Sequence, residues 1–220
     1  MYTVAEAARF LGVPPSTFST WAKGYVRRPP GRRIVEAGPI VTSMAAEPGF
    51  PSIPFIGLAE GVVLAAFRLA GVSLQHIRRA VAVLEREIGV EHALASRRLY
   101  TDGAVILFDY ATSKRDDELT VVVTQQRVFT PVVKDYLRRV EHGVDGWAVR
   151  VATPVTRHPV VLVDPTRAFG QPIFKRGAAP VESVVGRIRA GDPIAEVAED
   201  FGVPERDVRE YLDAAVPLAA

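Results

Sequence analysis

The 220-residue chain contains no cysteine. That excludes a disulfide scaffold, a cysteine-rich zinc finger and a cysteine nucleophile. Histidine is scarce too, with four residues at 76, 92, 142 and 158, too scattered for a His-rich metal site. No apolar stretch reaches the roughly 18 residues of a membrane span before Gly, Arg or Pro interrupts it. The opening MYTVAEAARF carries no basic leader followed by an apolar run and a cleavage site, so a cytoplasmic protein is expected. A large charge of one sign is also missing. With a net charge of +2, 48% hydrophobic and 24% charged residues, the chain is neither a disordered acidic tail nor a histone-like polymer. A Gly-rich phosphate loop, HExxH and GxSxG are all absent, so neither cofactor nor metal is expected.

What charge there is lies unevenly. Residues 1–33 hold Arg9, Lys23, Arg27, Arg28, Arg32 and Arg33 against Glu6 alone, a local charge of +5. Residues 181–220 hold four Arg against nine Asp and Glu, a local charge of −5. A basic front and an acidic back point to two surfaces with different partners, and phosphates would be repelled by the second.

Local signals predict a mainly helical α+β chain. Thr3 and Glu6 form a capping box ahead of Val4, Ala7, Ala8 and Leu11, and Gly12-Val13-Pro14-Pro15 turns into a second helix over 16–23. On that helix Phe18 and Trp21 share an inner face, and the spacing turns Tyr25 inward with them. Ser16, Thr17, Ser19 and Thr20 lie mostly on the other faces, a shape that fits a major groove. Two Arg pairs around Pro29-Pro30-Gly31 read as a basic hairpin or wing, and 36–55 as loose chain. An apolar helix over 58–70 precedes an amphipathic one, capped by Ser73, with the seam Leu74, Ile77, Val81, Leu84 and Ile88. That seam suits either a core or a dimer contact.

Further along, 104–110 and 119–124 read as a hairpin and Thr130 to Val140 as a short helix. Residues 147–152 and 160–163 read as strands, with Pro154 to Pro159 separating domains. After a short strand in QPIFKRG, Pro180 starts a helix, Asp192-Pro193 caps the next, and Gly202-Val203-Pro204 turns into the last. The domain expectation is 1–100, a β-rich 101–157, and a small helical 158–220.

Shifted by 190 positions, the first helix pair falls on the last. Ala5, Glu6, Ala8, Gly12, Val13 and Pro14 meet Ala195, Glu196, Ala198, Gly202, Val203 and Pro204. Both ends therefore read as helix-turn-helix units. Their outer faces differ, hydroxyls beside an Arg-rich wing in front and Glu205, Arg206, Asp207, Arg209 and Glu210 behind. The front is read as binding DNA and the back as binding protein. The expected DNA contacts are Ser16, Thr17, Ser19, Thr20 and Lys23 on the helix, with Arg27, Arg28, Arg32 and Arg33 on the wing. Arg78 and Arg79 are weaker phosphate candidates. At the back, Phe169, Ile173, Phe174, Val181, Val208, Tyr211 and Leu212 supply bulk for a small core, some of it available to a partner.

Residues 1 to about 100, through YTVAEAARFLGVPPSTFSTW, the wing and SLQHIRRAVAVLEREIG, resemble the MerR-type winged helix-turn-helix group. Cysteine is absent where MerR activators often carry effector-binding thiols. Residues 158–215, through HPVVLVDPTRAFGQPIFKRG and GDPIAEVAEDFGV, resemble a small domain family of unknown function, number four-three-three. Proteins joining these parts resemble antitoxins of VapBC-type toxin–antitoxin systems, whose partners are PIN-domain ribonucleases. A homodimer is expected because two symmetric readers gain a second half-site, and the resemblance implies a repressor of its own promoter that neutralises such a toxin. It also implies that Arg167, Lys175, Arg176 or Arg189 meets the toxin's carboxylates, beside Phe169, Phe174 and Tyr211.

Two other readings compete. Asp102, Asp109, Asp116 and Asp117 could gather a divalent metal for a nuclease, but Asp109 alone sits in an apolar run, so catalysis is not expected. A stand-alone MerR-like regulator holding a small ligand in 101–157 is the other alternative.

Overall fold

The computed structural model describes residues 1–28, 31, 34–69, 71–89, 91–99, 135 and 138–215. Helix α1 (Val4–Leu11) begins on the expected box: the Thr3 hydroxyl accepts from the Glu6 N–H at 3.1 Å, and the Glu6 carboxylate accepts from the Thr3 N–H at 2.8 Å. Helix α2 (Pro15–Lys23) follows, with Pro14 as its cap residue and Pro15 in its first turn. Phe18 and Trp21 are buried with ring centres 5.9 Å apart. Gly24 then swings the chain off the helix into an antiparallel hairpin, β1 (Tyr25–Arg27) on β2 (Val35–Ala37). Tyr25 heads β1 and is only half-buried, so it does not join Phe18 and Trp21 in the interior.

Helix α3 (Phe55–Leu69) is buried along nearly its whole length, as a helix apolar on every side must be. On α4 (Leu74–Ile88), Ile77 and Val81 enter the same core and Leu74 packs against it. These members of the seam are therefore core; the side chains of Leu84 and Ile88 lie outside the described part of the helix.

A four-stranded antiparallel sheet in order β3-β4-β5-β6 comprises Val140–His142, Ala148–Ala152, Val161–Val163 and Pro172–Phe174. Val140, expected to end a helix, opens β3 opposite Val151; a strand partner overrides the local periodicity. The expected strands over 104–110 and 119–124, Asp102, Asp109, Asp116 and Asp117, and most of 130–140 lie outside the described residues. β4 pairs with β5 across 154–159, where the sequence reading divides domains. The loop there is tied down rather than free: the buried Arg139 guanidinium donates to the carbonyls of Thr153 (3.1 Å) and Arg157 (2.8 Å).

Helices α5 (Val181–Arg189), α6 (Ile194–Asp200) and α7 (Glu205–Ala215) close the chain. Pro193, not Asp192, is the cap residue of α6. The Asp192 carboxylate is drawn instead to Arg187 at 2.6 Å, and a charged partner outcompetes a neutral amide. Two cores result. Val140, Val151 and Val163 pack with α1–α4, whereas Val161 and Phe174 pack with α5–α7, so the sheet is a wall common to both.

The internal likeness of the two ends is geometric as well. Gly12 and Gly202 are left-handed at φ +65 and +62. Val13 N–H donates to the Ala8 carbonyl at 3.0 Å and Val203 N–H to Ala198 at 2.9 Å. Phe18 and Val208 are both fully buried at the matched position.

Candidate functional site

At the front, the hydroxyl face of α2 stands partly open. Ser16 is exposed, Thr17, Ser19 and Thr20 are half-buried, and Lys23 is exposed in the last turn. Thr20 spends its proton on the Ser16 carbonyl at 2.9 Å, which leaves its oxygen as an acceptor. No acidic side chain lies on this helix. Of the wing candidates, Arg28 is exposed just past β1, Arg27 is placed by its backbone within β1, and Arg32 and Arg33 lie outside the described residues.

The hairpin is fastened to α2 at its base. Ile40 and Val41 N–H groups donate to the Trp21 carbonyl at 2.8 and 3.1 Å, and the Ser43 hydroxyl donates to the Ala22 carbonyl at 2.7 Å. A Cβ at Gly24 would collide with the Ala37 carbonyl oxygen, so only glycine allows this closure. From the far side, Arg78 donates through Nη1 to the Gly38 carbonyl, and its Nε and Nη2 are buried without a hydrogen-bond partner among the described residues. Burial lowers the pKa of this guanidinium. Arg78 is thus a strut between α4 and the hairpin rather than the phosphate contact considered from sequence; Arg79 is exposed.

A buried polar node below the hairpin has no counterpart in the sequence reading. Glu60 on α3, 4% exposed, accepts from the Thr42 N–H at 2.6 Å and lies 3.2 Å from His92 Nδ1. The Thr42 hydroxyl bonds the same ring nitrogen at 2.7 Å. Burial raises the Glu60 pKa despite these bonds. The sequence does carry a signal of it: Glu60 is the only charge within FIGLAEGVVLAAF, and such a charge needs partners.

At the back, most of the acidic run is engaged within the chain. Asp207, 2% exposed, accepts from Arg176 through Nε at 2.8 Å and also through Nη2. Glu210 accepts from the His158 N–H at 2.7 Å and faces its ring at 3.0 Å. Burial disfavours the Glu210 carboxylate, but these bonds outweigh it and hold its pKa below the ordinary value. Arg187 bridges Asp192 and Asp200, and Arg209 pairs with Glu205.

Among the proposed partner contacts, Phe174 is wholly buried in the second core, with Tyr211 edge-on at 5.9 Å. A side chain with no exposed surface offers none to a partner, which removes Phe174 from the contact set. Tyr211 is half-buried, and Arg176 is committed to Asp207. Lys175, Arg189 and Arg167 are exposed, and Phe169 is fully so. Among the described residues, no three His, Asp or Glu side chains gather as a metal site, and no helix is long and apolar enough to cross a membrane.

Comparison with known proteins adds to this geometry. A family model described as "Putative DNA-binding HTH domain" matches residues 1–81, and one described as "Protein of unknown function (DUF433)" matches residues 161–214. A Mycobacterium tuberculosis protein named "Putative antitoxin VapB45" is 40% identical over 223 residues, covering 97% of this chain and 93% of that protein. The crystal structure of Rv2018 from Mycobacterium tuberculosis superposes with a TM-score of 0.76 at 34% identity, over 96% of this chain and 97% of the other.

Proposed function

The chain belongs to the family of the mycobacterial protein named "Putative antitoxin VapB45", and we propose on that basis that it neutralises a cognate PIN-domain ribonuclease toxin in the cytoplasm and represses its own operon by binding promoter DNA. The observation that carries the DNA half is the fixed relation between the acid-free α2 and the hairpin beside it. Two anionic backbones can be met at once only if helix and wing hold a constant angle, and the Trp21, Ala22 and Gly38 carbonyls serve as the pins. Ser16, Thr17, Ser19 and Thr20 meet base edges or phosphate, Lys23 meets the backbone, and Arg27, Arg28, Arg32 and Arg33 meet the flanking phosphates or minor groove. The chain acts as a homodimer, since two readers double the half-sites and raise effective affinity.

In this reading residues 1–100 serve the duplex, 101–157 link, and 158–220 hold the toxin, with Arg167, Phe169, Lys175, Arg189 and Tyr211 as contacts. The test is to purify the chain with the product of the adjoining reading frame and ask whether a stable complex forms and retains the upstream promoter. Recovery of the chain alone, with a small ligand bound to its central region, would overturn the antitoxin reading in favour of a ligand-sensing regulator.

A further inference from the structure

Phe169 is the one aromatic ring wholly exposed among the described residues, at 101%. Its backbone is held in an unusual shape. Ala168 and Phe169 are left-handed at φ +44 and +54, followed by Gly170 at +77. For residues carrying a Cβ that conformation is costly, and it persists only where the surroundings impose it.

The surroundings do impose it here. Arg167 N–H donates to the Asp164 carbonyl at 3.0 Å, Gly170 N–H to Arg167 at 2.8 Å, and Gln171 N–H to Ala168 at 2.9 Å. The buried Asp164 carboxylate accepts from the Thr166 N–H and hydroxyl at 2.9 and 2.6 Å and from Arg150 at 2.7 Å. Gly170 backs onto the Tyr2 hydroxyl. The ring is therefore held out on a stiff stalk, and docking it costs little ordering entropy. Its flank is cationic. Arg167 is more than half exposed, with its Nε 3.8 Å from Asp164, the loop's one acid; that carboxylate is buried and bonded more closely by Arg150 at 2.7 Å, which leaves most of the Arg167 guanidinium facing outward.

We propose that the loop from Asp164 to Gly170 is the chain's protein-docking knob, with Phe169 entering an apolar pocket on a folded partner and Arg167 meeting carboxylates on the rim of that pocket. The proposal rests on the antitoxin reading and narrows it to this loop, because the acids of α7 are largely engaged within the chain. A single-stranded nucleic acid could also stack on an aromatic ring beside an arginine. It needs successive platforms along a cationic groove, however, and one ring on a stalk supplies a single platform.

The test uses the full chain co-expressed with the product of the adjoining reading frame. Phe169→Gly removes the ring and suits the left-handed backbone, Phe169→Trp keeps an aromatic anchor, and Arg167→Glu reverses the flank. Phe169→Gly is expected to weaken the complex by at least about 30-fold, as loss of a central anchor does. Arg167→Glu should weaken it by about 10-fold in a salt-dependent way, and Phe169→Trp should keep it. Phe169→Gly and Phe169→Trp should leave the melting temperature and promoter affinity at wild-type levels, whereas Arg167→Glu, which sets a second carboxylate near Asp164, should lower the melting temperature slightly and leave promoter affinity unchanged. Wild-type affinity in both Phe169→Gly and Arg167→Glu overturns the knob while leaving the antitoxin reading intact. A wild-type chain that forms no complex overturns both. Wild-type binding to a poly-dT oligonucleotide that Phe169→Gly abolishes would replace the protein partner with a stacked strand.

Discussion

Arg176 and Asp207 form a pair whose two ends should respond unequally to truncation. Asp207 is 2% exposed, whereas the Arg176 side chain is 46% exposed. Arg176→Ala strands a carboxylate in the second core, a change that costs about 3–5 kcal/mol where nothing compensates. Two features pull the figure toward about 3 kcal/mol. Arg206 Nε remains 3.7 Å from the carboxylate, and Asp207 sits in the first turn of α7, where the free amides favour negative charge. Asp207→Ala leaves only a guanidinium that water can reach, so its cost should be about 1–2 kcal/mol. Combining Arg176→Ala with Asp207→Asn removes the stranded charge and should recover about half of the Arg176→Ala loss. For a chain of this size the Arg176→Ala figure corresponds to a fall in melting temperature of roughly 6–12 °C. Urea unfolding of the four proteins measures the ordering directly. Equal costs for the two single substitutions, or a double variant no better than Arg176→Ala, would refute the claim that burial of the acid governs this pair.

Other expectations follow from the same geometry. Replacing Arg27, Arg28, Arg32 and Arg33 together with Ala should weaken promoter binding and flatten its dependence on salt. Each phosphate no longer neutralised takes about 0.9 off the slope of log affinity against log salt, which fluorescence anisotropy at several ionic strengths will read. Gly24→Ala should abolish promoter binding while circular dichroism shows α1 and α2 retained, because the added Cβ forces the hairpin off its base. Asp164 has a pKa below its ordinary value: burial opposes ionisation, but hydrogen bonds from Thr166 and Arg150 outweigh it. With Glu210 lowered likewise, stability should be fully present above the ordinary carboxylate range and lost as pH falls through the depressed values. Asp164→Asn should flatten that acid limb in unfolding measurements between neutral pH and about pH 3.

What can be read from the chain in advance is what its neighbours in sequence decide. The Thr3–Glu6 box, the Gly12 turn and the burial of Phe18 and Trp21 are local, and each is found where spacing predicts. Ile77 and Val81 follow from helical periodicity for the same reason. Val140 departs from expectation because its strand partner, Val151, lies beyond a turn that periodicity does not see. Glu60 announces that it needs partners, yet Thr42 and His92 are 18 and 32 residues away and carry no mark of the pairing. Arg78 looks like any cation on an amphipathic helix until α4 is laid beside Gly38, 40 residues earlier. Phe169 reads as bulk in the sequence, and three successive left-handed residues turn it outward.

The two helix-turn-helix units show how one folding solution is directed to different ends by what covers it. Their turns agree residue by residue, so the difference lies at the matched outer positions. Thr17 corresponds to Asp207 and Thr20 to Glu210. In front, those two hydroxyls sit on a helix without an acid, beside a hairpin pinned to its last turn. Behind, Arg176 from the turn after β6 clamps Asp207, and His158 from the β4–β5 loop engages Glu210. The matched positions of α7 thus carry carboxylates that the chain's own turn and loop already hold. A duplex approaching them would have to break two internal contacts before reaching either carboxylate. That prior engagement sets the back unit apart from the front one, whose residues fall within the match to the family model described as "Putative DNA-binding HTH domain".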